Sequence, residues 1–285
     1  MTEFLEALHF ALAQPAILIT FSALLGLVFG GFSTVAGDRL GQLAVAEDEG
    51  IELEQEMGLW WPASRCENCG RPLSAIERAP GIGWFAVRGT CKACGFKVPI
   101  SAPIAEWSCA LLFALIAWKF GPTWSTLAYM FAGWSFIAMS LADVKHMALP
   151  DRLTLPLLWV GLLASALNLT PVSADFAILG AAAGFGFLWL LQEAYFRFRG
   201  IVGIGGGDVK LLGAIGAWVG IEYVFLTAVF AALLGLLVFV ALAMLRLYQD
   251  QHKPFGPMLA AAGCWATLRP EDIQAVLDWM AMLVI

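Results

Sequence analysis

Apolar residues run along this chain in long blocks, at about 15–36, 104–120, 122–142, 154–169, 174–196, 208–220, 222–245 and 256–268, with polar residues gathered between them. Such blocks predict helices that cross a bilayer, because a helix satisfies its own backbone groups where no water can. The pattern therefore predicts an all-α polytopic membrane protein with about eight transmembrane helices, some of them short. The tail at 271–285 is mixed and is expected to lie along the interface. A polar insert of about 65 residues separates the first two blocks. The expected division is an N-terminal transmembrane helix over 1–36, a cysteine-bearing domain over 37–103 and a helical membrane domain over 104–285.

Composition agrees with the pattern. The chain is 60% hydrophobic and only 13% charged, with a mean hydropathy of +0.80; a soluble domain carries about 25% charged residues. The N-terminus, Met1-Thr-Glu3-Phe-Leu-Glu6, is acidic where a secretory signal is basic, so the first block reads as a retained span. The acidic run through Glu47, Asp48, Glu49, Glu52, Glu54 and Glu56 reads as a solvated loop, and no basic stretch suggests a nucleic-acid partner. With the N-terminus outside and the spans alternating, all of the 16 Lys and Arg residues except Lys119 and Arg269 fall on the cytoplasmic side. The positive-inside rule thus predicts a topology with the insert in the cytoplasm and membrane lipid around the helices.

The insert holds Cys66-Glu67-Asn68-Cys69-Gly70 and Cys91-Lys92-Ala93-Cys94-Gly95. Two such knuckles resemble a four-cysteine zinc ribbon: each turn is tight enough for both thiolates to reach one ion at about 2.3 Å. A pair of disulfides is the rival reading, disfavoured by the reducing cytoplasm. Four thiolates would leave no open position, so the zinc on Cys66, Cys69, Cys91 and Cys94 is expected to be structural. Cys109 and Cys264 sit in apolar blocks and read as small hydrophobes.

Acids at the edges of spans are costly, which makes them candidates for function. Asp143 closes the third apolar block, and Asp208 opens the sixth directly after Gly205-Gly206-Gly207. Two carboxylates brought close together share one proton, so that one can activate a water while the other polarises a carbonyl. Glycines before Asp208 would let a substrate backbone pass near the carboxylate. The plainer readings are an interfacial Asp143 paired with Lys145 or Arg152, and an Asp208 that caps its helix. Asp151, after Pro150, is expected to cap the next helix or face its dipole as a supporting residue. Lys210 is expected to tune the acids or meet lipid phosphate. His146 reads as interfacial, and Gly26-x-x-x-Gly30 and Gly180-x-x-x-Gly184 as close-packing pairs.

Taken together, four motifs in order resemble the bacterial type IV prepilin peptidases, a family of membrane aspartyl proteases. They are the tetra-Cys insert, Asp143…Leu149-Pro150-Asp151-Arg-Leu-Thr-Leu-Pro156, Gly203…Asp208-Val-Lys210…Gly216-Ala-Trp218, and Pro254-Phe255-Gly256-Pro257. The resemblance implies cleavage of the leader from type IV prepilins and pseudopilins of pilus or type II secretion systems, with Asp143 and Asp208 as the catalytic acids. It also implies, for many members, methylation of the new N-terminus from S-adenosylmethionine. Three segments depart from the family pattern, at Gly30–Gly41, Glu77–Pro80 and Ser101–Glu106. The departures spare the protease motifs, so the sequence leaves methylation open. A non-catalytic, zinc-containing assembly factor and a proton-carrying transporter are the alternatives.

Overall fold

The computed structural model describes residues 14–51, 58–59, 64–201, 203–245 and 254–284. Glu52, Glu54 and Glu56 of the expected acidic loop, and the first thirteen residues, lie outside them. The described residues form helices and turns without a named strand, in two compact units that divide after His146.

The first unit contains α1 (Pro15–Glu49), the short α2 (Gly83–Ala86), α3 (Ser101–Phe120) and α4 (Trp124–His146). Helix α1 continues past residue 36 to Glu49, where Gly50 turns into the left-handed conformation and ends it. Its 35 residues span roughly 50 Å, more than the ~30 Å of a hydrocarbon core, so one end extends beyond it. It packs on α3 and α4. Gly26 and Gly30 lie against the α3 backbone at Ala110 and Glu106, which confirms the close-packing expectation for that pair. Trp134 of α4 stacks on Phe32 and donates its indole N–H to the Phe29 carbonyl at 3.1 Å, tying α4 to α1.

The second unit contains α5 (Asp151–Ala166), α6 (Ala174–Arg199), α7 (Gly206–Met244), α8 (Gly256–Leu268) and α9 (Pro270–Val284). The sixth and seventh apolar blocks meet in α7, which is broken at Gly220 (φ 75°, ψ 174°), a conformation open mainly to glycine. Among the described residues five helices, α1, α3, α4, α6 and α7, are long and apolar enough to cross a membrane. The blocks behind α5 and α8 are helical but only 16 and 13 residues long. The count of full-length spans is therefore smaller than the count of apolar blocks: one block pair shares a kinked helix, and two form shorter helices packed against α7.

Helix α7 is the hub of this unit, touching α5, α6, α8 and α9. Trp218 donates from its indole nitrogen to the Leu157 carbonyl at 3.0 Å, its ring filling the notch left by Gly161. Gly180 and Gly216 let α6 and α7 meet backbone to backbone, and Gly184 continues the seam against Leu212. A side chain at 216 would collide with the Gly180 carbonyl rather than with a movable side chain. Gly216→Leu should cost at least about 3 kcal/mol, the upper end of ordinary overpacking. Thermal unfolding of the detergent-purified variant checks this; an unchanged midpoint would contradict the seam.

Candidate functional site

The two cysteine knuckles repeat one backbone design. In the first, the Cys66 N–H donates to the Arg71 carbonyl and the Gly70 N–H to the Cys66 carbonyl, both at 2.9 Å. In the second, the Cys91 N–H donates to Phe96 at 2.8 Å and the Gly95 N–H to Cys91 at 2.9 Å. Gly70 and Gly95 sit at φ 68° and 72°, where a Cβ would be strained. These turns aim four sulfurs at one point, all within 4.8 Å of one another. Cys66 Sγ lies 3.8 Å from Cys94 Sγ, and Cys69 Sγ 4.0 Å from Cys91 Sγ. A tetrahedron with metal–sulfur bonds of about 2.3 Å has edges of about 3.8 Å, whereas a disulfide needs about 2.05 Å. The cluster therefore has the size of a metal site, and its four sulfurs could hold one ion.

Neighbouring groups act unevenly on the thiols. The backbone N–H groups of Ala93 and Cys94 hold the Cys91 thiol down to about 6, whereas at Cys69 the Arg71 N–H is outweighed by burial and the neighbouring sulfurs, which push that thiol up to about 11. The Arg71 guanidinium lies 3.9 Å from Cys91 Sγ and 2.6 Å from the buried Glu77 carboxylate. Arg71, and then the Ser74 N–H, lower Glu77 to about 2. Glu77 stays ionised wherever thiolates could bind a metal, and so keeps Arg71 aimed at the sulfurs. The insert is anchored to α3 through Glu106, which accepts the Gly81 N–H at 2.7 Å.

Asp143 lies in the last turn of α4 and is 6% exposed, among Met139, Ala138 and Ala142, which are wholly buried. Lys145 reaches Asp38 at 2.9 Å and Glu67 at 2.8 Å, and His146 also contacts Asp38, at 2.8 Å. His146 is thus half-buried in an acid–base cluster rather than free in the interface. Sequence reading missed Asp38; its signal was a lone acid just past an apolar block, between two glycines four residues apart.

In the second unit Asp208 stands in the first turn of α7, but Gly205 is the N-cap residue, so the expected capping role goes to the backbone. The glycine run places each residue differently. A Cβ on Gly205 would lie 3.3 Å from Asp208 Oδ2, and one on Gly207 would lie 2.7 Å from Leu149 Cβ. A Cβ on Gly206 would meet open space. Gly205 thus leaves room for the carboxylate, Gly207 permits packing on the Leu149-Pro150-Asp151 segment, and Gly206 stays open. Gln192 of α6 donates to the Ile204 carbonyl at 2.7 Å, and Gly203 sits under the Tyr195 ring. Neither support carries a sequence signal, because a Gln and a Tyr on an amphipathic helix end have no pattern that names their partners.

Asp151 opens α5 in its first turn, on the favourable side of the helix dipole, with Pro150 as N-cap. Both its carboxylate oxygens accept from Lys210 Nζ, at 2.7 and 2.8 Å. The two supporting residues are therefore partners, which ties the start of α5 to the first turn of α7, two residues from Asp208.

Comparisons with known proteins follow the same map. The model of the "Type IV leader peptidase family" matches residues 129–240, and that of the "Bacterial Peptidase A24 N-terminal domain" matches 24–120. Proteins named prepilin leader peptidase/N-methyltransferase are similar along nearly the whole chain. That of Aeromonas hydrophila is 37% identical over 96% of this chain and 97% of its own length. Those of Stutzerimonas stutzeri and Pseudomonas aeruginosa are 36% and 35% identical, covering 94% and 93% of this chain and 96% and 95% of their own. No solved structure matches the chain significantly. A polytopic helical architecture, two matched family segments and relatives aligned end to end lead to one assignment: the chain belongs to the type IV leader peptidase family.

Proposed function

We propose that this chain cleaves the leader peptide of type IV prepilins and pseudopilins at the cytoplasmic face of the bacterial inner membrane, with Asp143 and Asp208 as its catalytic acids. The observation that carries the reading is the near full-length similarity to prepilin leader peptidases, with both acids inside the matched peptidase segment 129–240. It favours an enzyme over a non-catalytic assembly factor. In the proposed chemistry the two carboxylates share one proton. The ionised member takes a proton from water as that water attacks the scissile carbonyl, and the neutral member donates a hydrogen bond to the carbonyl oxygen. The proton then passes to the leaving amine as the peptide bond breaks. Gly205 and Gly206 leave the approach to Asp208 open for an extended substrate backbone.

The charge distribution supports the orientation, with the N-terminus outside and the cysteine domain and acids cytoplasmic. The sulfur spacing supports a structural zinc on Cys66, Cys69, Cys91 and Cys94, which would cross-link the two knuckles. Methylation of the new N-terminus, with S-adenosylmethionine as donor, is carried over from the relatives' names; none of the clusters described above is assigned to it.

One incubation tests both activities. Purified protein is mixed with a prepilin and S-adenosylmethionine, and the product's mass is measured. Loss of the leader and gain of a methyl group are read separately; an intact prepilin would overturn the peptidase reading. The Asp151–Lys210 pair gives a graded check. Lys210→Met should lower kcat about tenfold by freeing the first turn of α7, while Lys210→Arg, which keeps the ion pair, should retain most of the rate. Equal loss in both variants would contradict a role through the ion pair.

A further inference from the structure

Asp143 has an awkward position for a group that must be held still. It lies in the last turn of α4, which ends at His146, and last turns lack part of their hydrogen-bond ladder and fray. The two residues that end the helix are those that make long-range contacts. Lys145 Nζ bridges Asp38 Oδ1 at 2.9 Å and Glu67 Oε1 at 2.8 Å. Glu67 lies between Cys66 and Cys69, within the first metal-binding knuckle. Asp38 Oδ1 also accepts from Gln42 Nε2 at 3.0 Å and meets His146 Nε2 at 2.8 Å.

The backbone of α1 is shaped to allow this. A Cβ on Gly37 would lie 3.2 Å from the Ala142 nitrogen and closer still to the Ala138 carbonyl, so α1 and α4 touch directly beside Asp143. A Cβ on Gly41 would lie 2.6 Å from His146 Cδ2, so the imidazole fits only because residue 41 is glycine. Asp38 and Gly41 together make a seat for Lys145 and His146.

We propose that Glu67, Lys145 and Asp38 form a clamp through which the folded cysteine knuckle holds the Asp143-bearing end of α4 in its working position. The inference rests on the assignment of Asp143 as a catalytic acid. Glu67, Lys145 and Asp38 are positioning residues, acting through the helix end and not on the substrate. Each exposed ion pair alone is weak, but the three groups share donors and acceptors, so breaking one link loosens the rest. Ordering of the knuckle by its metal is thereby relayed to the helix end two residues from Asp143.

Two readouts test the clamp in the full-length, zinc-loaded protein. Glu67→Gln should keep its zinc, lower kcat about five- to tenfold at unchanged KM, and speed amide hydrogen exchange at residues 141–147. Adding a chelator should speed the same amides in the wild type, with little further effect in Glu67→Gln. Lys145→Met should do the same as Glu67→Gln or more, and the double variant should be no worse than Lys145→Met alone, because both remove one linkage. Lys145→Arg should restore most of the rate. Wild-type exchange and kcat in Glu67→Gln, strictly additive losses in the double variant, or loss of zinc from Glu67→Gln would each overturn the clamp. If the wild type cleaves no prepilin, the functional assignment fails, while the exchange measurements still decide the clamp.

Discussion

Asp143→Asn and Asp208→Asn should each lower prepilin cleavage by at least about 10⁴-fold while leaving the protein folded and inserted. The amide is nearly the same size as the carboxylate, so packing around Asp143 should survive; it cannot take a proton from water or hold a shared one. The double variant should lose little beyond either single change, because groups that act as a unit fail as a unit. Cleavage of a purified prepilin in detergent, with thermal unfolding as the folding control, measures both claims. A folded double Asn variant that still processes the prepilin would refute the dyad. Normal pilus assembly in cells carrying either single change would instead point to the non-catalytic assembly factor.

Removal of the proposed zinc should produce the largest structural effect. Structural zinc contributes about 10–16 kcal/mol to small zinc-binding peptides, whereas the regular structure among the insert's described residues is two isolated bridges and one short helix. Cys66→Ser or chelation should therefore release about one zinc per chain. Proteolysis should then become fast between residues 64 and 100, with α3 and α4 left protected. Trp84 reports the same event by fluorescence, since it packs on Gly89 and donates to the Val98 carbonyl at 3.1 Å. Metal analysis that finds no zinc in the wild type, or a domain that stays protected without it, would contradict the structural role. Sensitivity to reductant in place of chelator would revive the disulfide reading, which the sulfur spacing disfavours.

Much of the molecule is legible in its sequence. Long apolar blocks have no soluble solution, so the helical membrane class followed from hydropathy. Knuckle spacing is a local property of ten or so residues, and the structure reproduces it bond for bond in both copies. Glycine pairs at helical spacing foretold tight seams, and α1 on α3 and α6 on α7 both have them. Element lengths were less legible. Hydropathy separates blocks at polar residues but does not register a backbone break at Gly220 inside one apolar run. It also cannot tell a short helix packed on α7 from a full span.

Local rules likewise placed Asp151 and Asp208 at helix starts, yet both caps belong to their neighbours, Pro150 and Gly205. Backbone geometry at a helix entry depends on what the entering loop packs against, here Leu149 against Gly207 and Tyr195 against Gly203. Sequence by itself determined the chemistry on offer: two acids at span edges, four thiols in two knuckles, and a charge asymmetry between the segments that separate the apolar blocks. Those are properties of residue type and short-range spacing. Only the tertiary structure decided the partners. Lys145 turned out to serve Asp38 and Glu67, and Lys210 to serve Asp151. Side chains 59 to 108 residues apart meet through helix packing, which no local pattern encodes.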